Sequence, residues 1–198
     1  MTPEMRIIGG TWGSRVIKSC SGGYRPTTAL VKKSLFDSLA SGIVDSRFLD
    51  LFSGTGAVGI EALSRGAGRV VFVESDWSRL KILHENLVSL DASDDEYVII
   101  GTEYLKALEK LREEKEIFDF IYVDPPYGEF PHARILGDLV LAGILSVDGV
   151  IIYETHRKNL RELLEVIPDE LYPYRERLHG STALIMFRWR KGSGPGGN

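Results

Sequence analysis

Short runs of β-branched and aromatic residues alternate along this chain with longer stretches whose leucines recur every third or fourth position. The first pattern suits strands buried on both faces, the second suits amphipathic helices. Strands are expected at 48–52, 69–73, 97–100, 118–123 and 149–153. Helices are expected at 57–64, along the face made by Leu80, Leu83, Leu87 and Leu90, through Leu105, Leu108 and Leu111, at 135–141 and at 158–164. Residues 172–178 and 182–189 read as a terminal pair of strands. Alternating strands and helices with near-continuous apolar strands imply an α/β fold. Its sheet is mainly parallel, seven-stranded, covered by helices on both faces and ended by a C-terminal antiparallel hairpin.

The first part of the chain has a different pattern. Residues 6–10 and 15–18 are two short β-prone runs that form a small hairpin without a core of its own. A loop at 21–26 follows, and Thr27 or Thr28 can cap a helix whose Val31, Leu35, Phe36 and Leu39 share one face. These features divide the chain into an N-terminal arm at 1–42, a main domain at 43–190 and a flexible glycine-rich tail at 191–198.

Charge adds to this picture. The net charge is −4, yet residues 5–36 hold no acid and carry Arg6, Arg15, Lys18, Arg25, Lys32 and Lys33. A second basic segment contains Arg175, Arg177, Arg188, Arg190 and Lys191, with Glu176 as its acid. Such asymmetry can give an acidic protein a local positive face that responds to a phosphate backbone. The single cysteine, Cys20, excludes an internal disulfide, and the four histidines lack ligand spacing, so no metal is expected. Without a membrane-length apolar run or a signal-peptide pattern, the expected location is cytoplasmic.

Two stretches carry candidate chemistry, and both fall at carboxyl ends of expected strands, where ligands of open α/β sheets sit. Gly54-Thr55-Gly56-Ala57-Val58-Gly59 lets the backbone turn sharply beside a helix N-terminus. Glu74 follows 20 residues after Gly54, where an acid can accept ribose hydroxyls. In isolation this is a dinucleotide fingerprint, but hydride transfer has no use for the second stretch, Asp124-Pro125-Pro126-Tyr127. There a carboxylate precedes two residues that lack an N–H, and an aromatic ring closes the segment. An acceptor-rich corner beside a ring suits a planar amino group on a heterocycle.

The segment Phe48-Leu-Asp50-Leu-Phe52-Ser-Gly54-Thr-Gly56 resembles motif I of class I S-adenosylmethionine-dependent methyltransferases, and Asp124-Pro-Pro-Tyr127 resembles their motif IV in enzymes that methylate amino groups. Arg6-Ile-Ile-Gly-Gly10, Arg25-Pro-Thr27, Leu35-Phe36, the run from Glu61 to Ala67, Val73-Glu74, Asn86 and Gly180-Ser-Thr-Ala extend the resemblance to the bacterial ribosomal RNA small-subunit methyltransferase D family. The resemblance implies a Rossmann-like domain that transfers a methyl group from S-adenosylmethionine to the N2 amine of a guanine in 16S rRNA. The substrate would be rRNA or a small ribosomal subunit precursor, and the protein a monomer. Asp50, Phe52, Gly54, Gly56, Glu74, Thr102 and Asp124 would line the cofactor. Asp124, Pro125, Pro126 and Tyr127 would form the catalytic corner. Arg6, Arg15, Arg25, Thr27, Lys32 and Lys33 would hold RNA. The chain departs from the family at Thr102-Glu103, where an acid near the adenine is usual, and in the arm helix at 28–33. Competing readings are an adenine-N6 nucleic-acid methyltransferase and a ribosome-assembly factor that binds RNA without turnover.

Overall fold

The computed structural model describes residues 4–20, 27–126, 128 and 130–195, with Ser41 described by its backbone alone. Contacts divide the chain into two compact units, Met1–Glu103 and Tyr104–Asn198.

The first unit starts with β1 (Glu4–Arg6) and β2 (Val16–Lys18), an antiparallel pair in which Met5 faces Ile17. β1 lies earlier than the expected run at 6–10 and shares only Arg6 with it. Ile7 leaves the ladder, although its N–H still donates to Arg15 and its carbonyl accepts from Ser14. Helix α1 (Ala29–Leu39) opens at Thr28, whose hydroxyl accepts the Val31 N–H at 3.3 Å. Its buried face is Val31, Lys32, Leu35, Phe36 and Leu39. Then come β3 (Arg47–Asp50), α2 (Ala57–Ser64), β4 (Arg69–Val73), α3 (Trp77–Ser89) and β5 (Tyr97–Ile100). β4 pairs in parallel with β3 and β5. Residues 70–74 are buried one after another, which requires cover on both sides of the strand.

The second unit contains α4 (Tyr104–Glu113), β6 (Phe118–Val123), α5 (His132–Ala142), β7 (Leu145–His156), α6 (Leu160–Glu165), β8 (Leu171–His179) and β9 (Thr182–Trp189). β6 and β7 are parallel, while β7–β9 and β9–β8 are antiparallel. β7 extends beyond the expected 149–153. Its exposed Val147-Asp148 lies in an irregularity of the ladder, where pairing with β6 passes from Phe118–Leu145 to Phe120–Val150. The seven strands β3 to β9 form the mainly parallel sheet with its C-terminal antiparallel hairpin that the hydrophobic pattern implied.

Candidate functional site

The glycine turn of the first unit is built around backbone angles that side chains resist. Gly54 has φ 55° and Gly56 φ 86°, both left-handed. A Cβ on Gly56 would stand 2.4 Å from Leu83 Cδ1, and one on Gly59 would stand 2.2 Å from Phe72 Cε1. Gly56 caps α2 without a side-chain bond, and of the first-turn donors the Gly59 N–H is taken by Asp50. Ser53 ties the turn to β4 through its N–H and hydroxyl, both donated to the Val73 carbonyl.

Two buried carboxylates border this turn. Glu74, at the end of β4, accepts the Gly54 N–H at 2.9 Å on one oxygen and those of Ser75 and Asp76 at 2.8 Å on the other. Arg79 Nη1 stands 3.7 Å from Glu74. Asp50, the last residue of β3, accepts the Gly59 N–H at 2.9 Å on Oδ2, while its buried Oδ1 has no partner. Burial pushes its carboxyl up to about 7; the Gly59 bond pulls it down and the charge of Glu74 adds to the rise. The unpartnered Oδ1 is an acceptor for a polar or cationic ligand group. Phe52 and Thr102 are half-buried, and Thr102 donates its N–H to Ile100 at 3.0 Å.

In the second unit, Val123 is the last residue of β6 and pairs with Tyr153. Asp124 then leaves the ladder half-buried, Pro125 is buried and Pro126 is half-buried. Tyr127 lies outside the described residues. The neighbouring groups were not legible as site residues. The Tyr153 hydroxyl is 2.9 Å from His132 Nδ1, and the two rings meet edge-on at 5.4 Å. Burial, then the charges of Asp124 and Tyr104, hold the Tyr153 phenol above its usual range. Tyr104 donates to Asp138 at 2.8 Å, and burial followed by that carboxylate pushes its phenol up to about 12. Burial lowers His132, with Glu162 acting in the opposite direction. Tyr122 donates to Glu154. The Tyr104 and Tyr153 phenols therefore stay protonated at neutral pH. His132 and Tyr153 are 21 positions apart in sequence, and no motif connects them.

The arm residues separate into two groups. Arg6, Arg15 and Lys33 are exposed. Arg6 donates to the Ser14 carbonyl, Arg15 to the carbonyls of Ser89 and Leu90 at the end of α3, and Lys33 pairs with Asp37. Arg25 lies outside the described residues. Thr27 and Lys32 correct the sequence-based expectation, because both are buried and neither presents a surface to RNA. The Lys32 ammonium donates to the Arg6 carbonyl at 2.8 Å and stands 3.2 Å from Glu61. Glu61, fully buried on α2, also accepts the N–H groups of Ile8 and Gly9 at 2.8 and 2.9 Å and is bridged by Arg65 at 2.9 Å. Lys32 thus fastens the arm to α2.

The family described as conserved hypothetical protein 95 matches residues 5–188. The chain is 33% identical over 187 residues to a Bacillus subtilis protein named "Putative rRNA methyltransferase YlbH", covering 94% of this chain and 100% of that one. It is 32% identical over 186 residues to ribosomal RNA small subunit methyltransferase D of Escherichia coli, covering 93% and 90%. A solved structure of a hypothetical protein from Thermus thermophilus superimposes with a TM-score of 0.78 at 26% identity, over 93% of this chain and 99% of that one.

Proposed function

The chain belongs to the conserved hypothetical protein 95 family, that of ribosomal RNA small subunit methyltransferase D, and from this we propose that it methylates the exocyclic N2 amine of a guanine in 16S rRNA. The observation that carries the reading is the end of β6. A half-buried carboxylate, Asp124, is followed there by two prolines that offer carbonyls and no N–H, beside phenols that remain protonated.

S-adenosylmethionine is the cofactor, and when bound it supplies an electrophilic methyl group. The first unit fits it on its own observations. Gly54 and Gly56 hold the left-handed backbone angles that turn the chain sharply at the strand end, Glu74 can accept ribose hydroxyls, and the unpartnered Asp50 Oδ1 can accept from the amino-acid portion. Phe52 and Thr102 line the same end of the strands.

The guanine amine is a weak nucleophile because its lone pair is delocalised into the ring. Asp124 and the Pro125 carbonyl accept its two hydrogens, which favours a pyramidal nitrogen and stabilises the positive charge that grows on it. Tyr127 stacks on the base, which must be unpaired or flipped to reach the corner. Arg6, Arg15, Arg25 and Lys33 hold the RNA through phosphates, while Lys32 positions the arm from within. The substrate is bare rRNA or a small-subunit precursor, and the chain acts as a monomer.

The test is an incubation of tritiated S-adenosylmethionine with small-subunit particles, bare rRNA, duplex DNA and protein, followed by nucleoside analysis. Label in N2-methylguanosine from the ribosomal substrates is expected. Label confined to N6-methyladenosine, or no transfer at all, overturns the proposal.

A further inference from the structure

A second basic surface lies outside the arm, on the β8–β9 hairpin. From Leu171 to Lys191 the chain carries Arg175, Arg177, Arg188, Arg190 and Lys191 against one acid, Glu176. Among the described residues, three of these arginines are held by neutral partners. Arg188 sits 4.5 Å from the centre of the Tyr174 ring, and Arg177 donates to the Glu176 carbonyl at 3.1 Å. Arg190 donates to the carbonyls of Asp169 and Leu171 at 2.8 and 3.1 Å. Ring stacking and carbonyl bonds orient a guanidinium without neutralising it.

The strand register explains how these groups share a face. Pro173 pairs with Phe187 and Arg175 with Met186, so Tyr174 is the extra residue of a bulge. It is turned onto Met186, whose sulfur is 3.7 Å from its hydroxyl, with the Arg175 guanidinium 5.9 Å from its ring. Tyr172 pairs with Arg188 and Arg177 with Leu184. Positions 184, 186 and 188 of β9 face one way, and their partners face with them. The result is Tyr172, Tyr174, Arg175 and Arg177 of the edge strand β8, with Arg188 of its neighbour β9, on one side of the hairpin. Register also fixes its height in the sheet. Arg177 stands level with Leu184 and Glu154, one residue beyond the Val123–Tyr153 pair, where Asp124 leaves β6.

We propose that this arginine–tyrosine face binds the phosphodiester backbone of the substrate RNA, as a second hold besides the arm. The proposal rests on RNA being the substrate. Forked guanidinium donors match phosphate oxygens, and tyrosine rings beside them offer stacking to splayed bases. An edge strand carrying charge in place of a pairing partner is also protected from strand addition by another protein.

The experiment compares the full chain with the double variant Arg177→Gln/Arg188→Gln, and with Arg161→Gln as a control on α6, where Arg161 pairs with Glu165 at 2.8 Å. Binding of bare 16S rRNA and of small-subunit particles is measured across a salt titration, alongside S-adenosylhomocysteine affinity and melting temperature. Loss of two phosphate contacts should flatten the slope of log affinity against log salt by roughly 1.4 to 1.8. KM for RNA should rise with kcat, cofactor affinity and melting temperature unchanged, and the Arg→Lys pair should restore most of the slope. Wild-type slope and affinity in the double variant overturn this inference alone. Weakened binding to particles but not to bare RNA assigns the face to a ribosomal protein and also overturns it. If the wild-type chain binds no RNA, this inference and the proposed function fall together.

Discussion

At the residue scale, Asp50 and Asp124 are carboxylates used in opposite ways. Asp50 is buried with one oxygen unpartnered, and its carboxyl lies near 7 where 3.8 is ordinary. A raised value means that the native chain keeps a proton which the unfolded chain releases. The associated stability is complete below about pH 4 and is lost as pH rises through about 7. Asp50→Asn removes this titration. Its melting temperature relative to wild type should therefore climb between pH 5 and pH 8, by the equivalent of up to roughly 3 kcal/mol. A difference that stays flat across those buffers would contradict the assignment. Asp124 stands past the end of its strand and is half-buried, so little packing depends on it. Asp124→Ala should fold and bind cofactor while single-turnover methyl transfer drops about a hundred- to a thousandfold. Asp124→Asn keeps an acceptor and loses the charge. High residual activity in that variant would show that orientation outweighs electrostatics.

At the element scale, helix α2 serves two purposes at once. Its N-terminal end forms the glycine turn, and Glu61 on its buried face gathers Lys32, Arg65 and two backbone N–H groups of the arm. Removing one partner of a buried ion pair costs about 3–5 kcal/mol. Lys32→Ala should therefore lower the melting temperature by roughly 10 °C in a chain of this size. Lys33→Ala, at an exposed pair with Asp37, should change it by less than about 3 °C. Equal effects in calorimetry would refute the distinction between anchor and surface. Gly59→Ala tests the opposite face of α2, where a Cβ would meet Phe72 at 2.2 Å. The variant should be destabilised by about 1–3 kcal/mol, and its cofactor affinity should fall because Gly59 also donates to Asp50.

At the scale of the whole molecule, an overall negative charge coexists with basic faces that no charge sum reveals. A ligand that binds the native chain alone raises its stability by mass action. S-adenosylhomocysteine at a hundred times its dissociation constant should add about 2.7 kcal/mol, or roughly 5–10 °C. NAD should add nothing, because the acceptor corner after β6 has no role in hydride transfer. A shift with NAD and none with S-adenosylhomocysteine would reverse the choice between the two glycine-turn readings.

The order of strands and helices, the glycine turn and the Asp-Pro-Pro corner were legible because each depends on neighbours in sequence. Apolar periodicity reports burial, glycine reports a backbone angle, and proline removes a donor wherever it stands. The same local logic began this strand at Gly149, whereas β7 starts at Leu145 and passes through an irregularity in its pairing with β6. It also assigned Lys32 to the surface, since charge alone does not indicate which helix face meets a buried carboxylate 29 positions away. His132 and Tyr153 meet only once α5 and β7 are packed. Tyr174 joins the arginines only through a bulge that pairing with β9 creates. Sequence by itself determined the elements and the two chemical motifs, which are local. Tertiary structure decided which charges are anchors and which are faces, because burial and pairing depend on the partners that folding brings together.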